Sequence, residues 1–224
     1  MVFTPKIAPS LLSADFSILK QEIQEAEAAG ASLFHVDVMD GHFVPNLTLG
    51  PFIVKAIRKC TPLPLDCHLM IESPERYVKA FAAAGANLIS CHIEIVSEPK
   101  TLIEQLHALG IKAGLALNPD TPVERLLPYL ALLDYVLVMG VFPGFAEQVF
   151  IESALKKIEE LNAFRHEHAL AFEIEVDGGL RSSNIEKIAQ AGANIFVAGS
   201  AIFKNKPYDK TIQEMKQKIH GPKQ

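Results

Sequence analysis

The sequence predicts a single-domain (β/α)8 TIM barrel over residues 1–224, and three observations carry that expectation. Apolar, strand-like runs alternate with segments of helical periodicity, the pattern of a parallel sheet covered by helices. Helical segments close on a repeated punctuation, Ala29-Gly30-Ala31, Ala84-Gly85-Ala86 and Ala191-Gly192-Ala193, where Gly can take the left-handed end-cap conformation. No G-x-G-x-x-G follows the first run, which disfavours an open, doubly wound dinucleotide-binding sheet, the nearest alternative.

In chain order, strands are expected near residues 6–13, 33–39, 65–71, 87–94, 111–118, 135–141, 172–177 and 194–198. The first helix, 16–29, sets Phe16, Leu19, Ile23 and Ala26 on one face, and Leu109-Gly110-Ile111 closes the helix before the fifth strand. The longest apolar stretch, 126–142, is interrupted by Pro128 and Asp134, so it reads as a short helix followed by a buried strand and not as a membrane span. Segment 151–164 then repeats the amphipathic spacing with Ile151, Leu155, Ile158 and Leu161.

Composition narrows the function. A hydrophobic content of 49% over 224 residues suffices for a large core, and nothing resembling a linker divides the chain. With 21 Lys+Arg against 26 Asp+Glu and no long basic run, nucleic-acid binding is disfavoured. Cys60, Cys67 and Cys91 lack paired metal-type spacing and the N-terminal residues lack an apolar stretch, so a reduced, cytoplasmic setting without membrane association is expected.

Barrels of this kind carry functional groups at the C-terminal ends of their strands. His35, Asp37, His68 and Asp177 all fall there, and side-chain alternation points His35 with Asp37 and His68 with Met70. Each alone reads as an ordinary strand residue. Together, inward-facing imidazoles and carboxylates are costly unless paired or bound to a cation, so the set suggests one divalent ion: Zn, Fe(II), Mn or Co. His92 and Glu94 form a competing pair, read as structural or supporting, and Cys67 and Cys91 should face away from the site. Glycine-rich strand ends, Pro143-Gly144-Phe145-Ala146, Asp177-Gly178-Gly179 and Ala198-Gly199-Ser200, suit backbone contact with a phosphate.

With these residues in place, the chain resembles the ribulose-phosphate 3-epimerase family along nearly its whole length. The resemblance is carried by Ile7-Ala8-Pro9-Ser10-Leu11-Leu12-Ser13-Ala14-Asp15-Phe16, His35-Val36-Asp37-Val38-Met39-Asp40-Gly41-His42-Phe43-Val44-Pro45-Asn46, Asp66-Cys67-His68-Leu69-Met70, Glu175-Val176-Asp177-Gly178-Gly179 and Val197-Ala198-Gly199-Ser200-Ala201-Ile202-Phe203. It implies a metal-dependent isomerase of the pentose phosphate pathway that inverts C3 of D-ribulose 5-phosphate. By position, His35, Asp37, His68 and Asp177 would hold the metal, and Asp37 and Asp177 would move the proton. Ser10, His68, Met39, Met70 and Met139 would meet the sugar, while Gly144, Phe145, Ala146, Glu147, Gly178, Gly179, Gly199 and Ser200 would line the phosphate pocket. The resemblance also implies a small-molecule ketose phosphate as partner and a homo-oligomer.

One segment departs from the family's V-N-P-G-F-G-G-Q: this chain reads Val141-Phe142-Pro143-Gly144-Phe145-Ala146-Glu147-Gln148. The milder expectation is that backbone N–H groups still face the phosphate while Glu147 points to solvent. The sharper alternative is weakened phosphate binding, or a related substrate such as D-allulose 6-phosphate. A non-catalytic sugar-phosphate-binding protein is the alternative from a different class.

Overall fold

The computed structural model describes residues 3–220. Its eight strands are β1 (Lys6–Pro9), β2 (Phe34–Met39), β3 (Leu65–Met70), β4 (Leu88–His92), β5 (Lys112–Leu117), β6 (Tyr135–Met139), β7 (Glu173–Asp177) and β8 (Ile195–Ala198). All pair in parallel in the order β1-β8-β7-β6-β5-β4-β3-β2, and an isolated parallel bridge between Ser10 and His35 brings β1 back to β2. The result is a nearly closed (β/α)8 TIM barrel. Its helices are α1 (Leu19–Ala28), α2 (Pro51–Arg58), α3 (Val78–Ala84), α4 (Pro99–Ala108), α5 (Ser153–Glu167), α6 (Ile185–Ala191), α7 (Ser200–Phe203) and α8 (Tyr208–His220).

Strand alternation sorts the side chains into two populations. Val36 and Val38, Cys67 and Leu69, Ile89 and Cys91, Val136 and Val138, and Ile174 and Val176 point outward into one continuous apolar shell between strands and helices. Each such side chain contributes roughly 1.5–3 kcal/mol by leaving water. Cys67 and Cys91 lie in this shell, facing away from the site, and burial pushes both thiols up. The intervening residues point into the barrel, where His35, Asp66, His68, Ser90, His92 and Glu175 are all fully buried.

Helix ends follow the glycine punctuation, with φ of +102° at Gly30, +109° at Gly85 and +120° at Gly192. Two local expectations change. The first helical segment opens as a 3-10 turn, Phe16–Ile18, capped by the Asp15 carboxylate, which leaves Phe16 exposed and not on the buried face. Between β5 and β6 there is no α-helix: 3-10 turns at Val123–Arg125 and Leu130–Leu132 make the connection instead. Pro128 lies between them, and a proline there denies an α-helix one of its hydrogen bonds. The buried strand in that stretch is present as β6. Among the described residues, no helix is long and apolar enough to cross a membrane, and Cys60, Cys67 and Cys91 are free thiols.

The two ends of the chain are joined through Glu22 of α1. Its buried Oε1 accepts from the Tyr208 hydroxyl at 2.7 Å and lies 2.7 Å from Lys206 Nζ, while Oε2 accepts from the Asp15 N–H at 3.3 Å. Burial alone would raise this carboxyl's pKa, but Lys206, Tyr208 and the Asp15 N–H hold it below its ordinary value. Because the folded-state pKa is depressed, the stabilisation is fully present above the unfolded carboxylate's pKa, about 4.3, and is lost as pH falls through the lower folded value. Glu22→Gln should therefore cost about 1–2 kcal/mol at pH 7, after discounting for the half-exposed Lys206, and the gap from the native chain should shrink below about pH 4. Urea denaturation at a series of pH values reads both quantities.

Candidate active site

The C-terminal ends of β2, β3 and β7 bring His35, Asp37, His68 and Asp177 into one group, each offering a ligand atom within 4.8 Å of the others. The pairing register explains it: Asp37 sits opposite His68 across β2 and β3, and Ser10 bridges to His35 at the seam. His35 Nε2 lies 3.4 Å from Asp37 Oδ1 and 3.9 Å from Asp177 Oδ2, and His68 Nδ1 lies 3.6 Å from Asp37 Oδ1. These two ring nitrogens are fully buried and have no hydrogen-bond partner. Buried polar atoms are rarely left so. Two unpartnered imidazole nitrogens aimed at two carboxylates form a donor set that fits a divalent cation.

Beneath this group lies a polar layer that contains the His92–Glu94 pair expected in a supporting role and, unassigned by any motif, Asp66, Tyr135 and Glu175. His35 Nδ1 is 2.6 Å from Asp66 Oδ2, and Asp66 Oδ1 accepts from the Tyr135 hydroxyl at 2.8 Å. Glu175 Oε1 comes within 3.4 Å of the same His35 nitrogen. On the other side, His68 Nε2 lies 2.8 Å from His92 Nε2, and His92 Nδ1 lies 3.1 Å from Glu94 Oε2. The sequence did carry a signal for part of this layer. Asp66 stands two residues before His68 and Glu175 two before Asp177, so each shares the inward face with its neighbour.

Charges in this space are unevenly distributed. Burial would raise the Asp37 pKa, yet His35 and then His68 hold it far below the usual carboxylate range. Burial and the nearby Asp37 charge push Asp177 up to about 7. Burial works against a charge on His35, but the Asp37 and Asp66 carboxylates raise its pKa well above the ordinary imidazole value. His68 goes the other way, down to about 4, chiefly through burial. Burial and the Asp66 charge raise Glu175 well above the carboxylate range. Two carboxyl groups flanking the same His35 nitrogen are thereby given opposite proton affinities.

A cleft opens above the group. Its lining takes in Ser10, Asp37, Met39, Met70, Met139 and Asp177 at the base, Gly144, Phe145, Ala146 and Glu147 on one wall, and Gly178, Gly179, Gly199 and Ser200 on another. Ser10 Oγ donates to Asp37 Oδ2 at 2.6 Å, so it also steadies that carboxylate. His35 and His68 do not reach the lining and lie sealed beneath it. Arg181, just past the Gly178-Gly179 turn, is the one cationic side chain lining the cleft among the described residues, and no motif singled it out.

The family model described as the ribulose-phosphate 3 epimerase family matches residues 6–203. The chain belongs to this family. It is 48% identical to the ribulose-phosphate 3-epimerase of Bacillus subtilis over 212 residues, covering 94% of this chain and 98% of that protein. Against the Synechocystis enzyme of the same name the identity is 51% over 209 residues, covering 92% and 90%, and against that of Escherichia coli K12 it is 45% over 214, covering 95% of each. Membership makes the chain an enzyme of the isomerase class and sets aside a purely binding protein. Among solved structures, a mutant tryptophan synthase α-subunit of Pyrococcus furiosus superposes with a TM-score of 0.67 at 17% identity, covering 98% of each chain. A 3-hexulose-6-phosphate synthase does so at 0.67 and 18%, covering 95% of this chain and 98% of that one. At those identities the likeness is one of fold.

Within the epimerase family pattern, the altered loop after β6 has a definite geometry. Glu147, where the pattern carries glycine, takes φ +66°, a left-handed conformation costing a non-glycine residue roughly 1 kcal/mol. Its carboxylate lies 2.5 Å from Lys204 Nζ beyond α7, so it is exposed but paired, not simply turned to solvent. Asn46 Nδ2 donates to the Gly144 carbonyl at 2.7 Å and ties this loop to the one following β2.

Gly178 and Gly179 form the tightest turn at the site, with φ of +106° and +72°. A Cβ on Gly179 would stand 2.4 Å from the Phe150 backbone nitrogen, which cannot step aside as a side chain could. Gly179→Ala should cost about 2–4 kcal/mol, combining conformational strain with overpacking. Gly110→Ala, at the same φ of +72° but with no atom within 4 Å of the added carbon, should cost only about 1–2 kcal/mol. Comparing the two denaturation midpoints isolates the Phe150 contact.

Proposed function

We propose that the protein interconverts D-ribulose 5-phosphate and D-xylulose 5-phosphate, with Asp37 and Asp177 moving the C3 proton and one divalent ion held by His35, Asp37, His68 and Asp177. The observation that carries this reading is the placement of two carboxylates, from β2 and β7, beside one buried imidazole nitrogen at the base of a cleft. A divalent cation bound there would supply Lewis-acid stabilisation of negative charge developing on the ketose oxygens.

Inversion at a carbon next to a carbonyl needs a base on one face and an acid on the other. In one direction Asp37 takes the C3 proton, the C–H pair moves toward the C2 carbonyl to give an enediolate, and the Asp177 carboxyl returns a proton to the opposite face of C3. The stereocentre inverts, Asp37 ends protonated and Asp177 ionised; the reverse reaction exchanges their duties. Ser10, donating to Asp37 Oδ2, holds that carboxylate in place while its Oδ1 faces His35 and His68. Met39, Met70 and Met139 offer an apolar floor that excludes water from the carbanionic carbon without adding competing proton donors.

At the phosphate end, backbone N–H groups of Gly178-Gly179 and Gly199-Ser200, with the Arg181 guanidinium, suit a dianion. The Glu147 carboxylate is offset by Lys204, so the altered loop brings no bare negative charge to that end. This argues against a weakened phosphate site; the choice of the pentulose phosphate rests on the family to which the chain belongs. The donor set of two imidazoles and two carboxylates is compatible with Zn, Fe(II), Mn or Co.

Asp37→Asn and Asp177→Asn should each lower kcat by at least about 10²–10⁴-fold in a coupled epimerase assay, and solvent deuterium should appear at C3 with the native enzyme but with neither variant. Full turnover in either variant defeats the two-carboxylate assignment. Stripping metal with a chelator should abolish activity and adding back a single divalent ion should restore it; undiminished turnover in rigorously stripped protein argues against a metal role. Glu147→Gly should leave the ratio of kcat/KM for ribulose 5-phosphate and allulose 6-phosphate within about twofold, and a swing of about tenfold toward either would make Glu147 a determinant of substrate choice.

A further inference from the structure

We infer that Glu94, which touches neither cleft nor cluster, sets the ring tautomer of His68 through His92, and that Asp66 does the same for His35. This rests on the metal-binding reading above and adds to it two positioning residues. An imidazole coordinates only through a nitrogen that carries no proton, so a ligand histidine is useful only if its proton is held on the far side of the ring. Each imidazole of the cluster is anchored on that far side, by a different route.

The route to His68 can be followed proton by proton. Glu94 Oε1 accepts from the Asn118 N–H at 2.8 Å and from the Thr121 hydroxyl, which leaves Oε2 to face His92 Nδ1 at 3.1 Å. A carboxylate oxygen accepts, so His92 carries its proton on Nδ1 and its Nε2 is bare. That bare nitrogen lies 2.8 Å from His68 Nε2 and must therefore accept from it. His68 accordingly holds its proton on Nε2, and the lone pair of Nδ1, the unpartnered buried atom, faces Asp37 and the cluster.

His35 is held in the opposite sense. Asp66 Oδ2 accepts from His35 Nδ1 at 2.6 Å, so the proton a bound cation would displace is the one on Nε2, the nitrogen that faces the cluster. Asp66 is in turn fixed by the Tyr135 hydroxyl, and the Tyr135 ring crosses the barrel only because Gly114 lies under it: a Cβ there would come within 2.4 Å of the ring. The two ligand histidines thus present different nitrogens, Nε2 from one and Nδ1 from the other.

Glu94→Gln gives a sharp test because the side chain keeps its shape. The amide oxygen stays with the two donors at Asn118 and Thr121, which places the amide NH2 against His92 Nδ1. That donor strips His92 Nδ1 of its proton, moves it to Nε2, and obliges His68 to carry its own proton on Nδ1, facing the cluster. Histidine ring ¹⁵N–¹H correlation spectra of the native protein loaded with Zn²⁺ should show His35 protonated on Nδ1, His68 on Nε2 and His92 on Nδ1. In Glu94→Gln the His92 and His68 assignments should reverse in the metal-free protein, and Co²⁺ affinity, read by competition with a chromogenic chelator, should fall about 10–100-fold. Asp66→Asn should weaken Co²⁺ binding to a similar degree, and Tyr135→Phe, which deletes one hydroxyl, by a few-fold. A role confined to packing would lower thermal stability and leave Co²⁺ affinity unmoved. Unchanged tautomers in Glu94→Gln, or Co²⁺ binding within twofold of native in both Glu94→Gln and Asp66→Asn, overturns the inference while leaving the metal-binding reading in place. Native protein that takes up no Co²⁺ overturns both.

Discussion

Burying four acids and three imidazoles inside one barrel is the constraint on which the rest of this structure depends. Asp37, Asp66, Glu175 and Asp177 converge with His35, His68 and His92 in a space almost sealed from solvent. Isolated, each ion would cost several kcal/mol to desolvate. The arrangement is tolerable because unlike groups alternate: His35 stands among Asp37, Asp66 and Glu175, and His68 lies between Asp37 and His92. Where two acids crowd together, as at Asp66 with Glu175 and Asp37 with Asp177, one of each pair has its proton affinity raised. The same unevenness that makes the cluster bearable is what acid–base chemistry on the two faces of one carbon requires.

A polar interior has to be carried by something else, and the outer face of the sheet does so. Every strand contributes its alternate residues to an unbroken apolar layer against the helices. The fold is thus held from outside the barrel, and the inside is released for chemistry. Inside, Ala8, Tyr135, Ile195 and Val197 pack as a lower apolar plug, and Ala116, Leu137 and Met139 form a second apolar group. Tyr135 belongs to both worlds, its ring in the plug and its hydroxyl on Asp66.

Much of this was legible in the sequence because it follows from periodicity of two. His35, Asp37, His68 and Asp177 could be placed on one end of one barrel from strand positions alone, and Gly30, Gly85 and Gly192 marked helix ends correctly. The inward position of Asp66 and Glu175 was equally available, but neither stands at a strand end, where attention falls. Arg181 and the Glu147–Lys204 pair were not available: which loop residue reaches a cleft depends on loop paths that no period encodes. The short helix expected between β5 and β6 takes the 3-10 form, because apolar content there signals burial without specifying the hydrogen-bond pattern that satisfies the backbone.

The barrel closes between β1 and β2 through one bridge, Ser10 to His35, whereas the other seven junctions are continuous ladders. That junction runs straight past the reacting groups, since Ser10 holds Asp37 and His35 stands between both aspartates. The barrel therefore has a built-in line of compliance, like the slit in a spring collar. A single bridge leaves this seam fewer main-chain hydrogen bonds to break than any ladder, so local opening costs least beside the reacting groups.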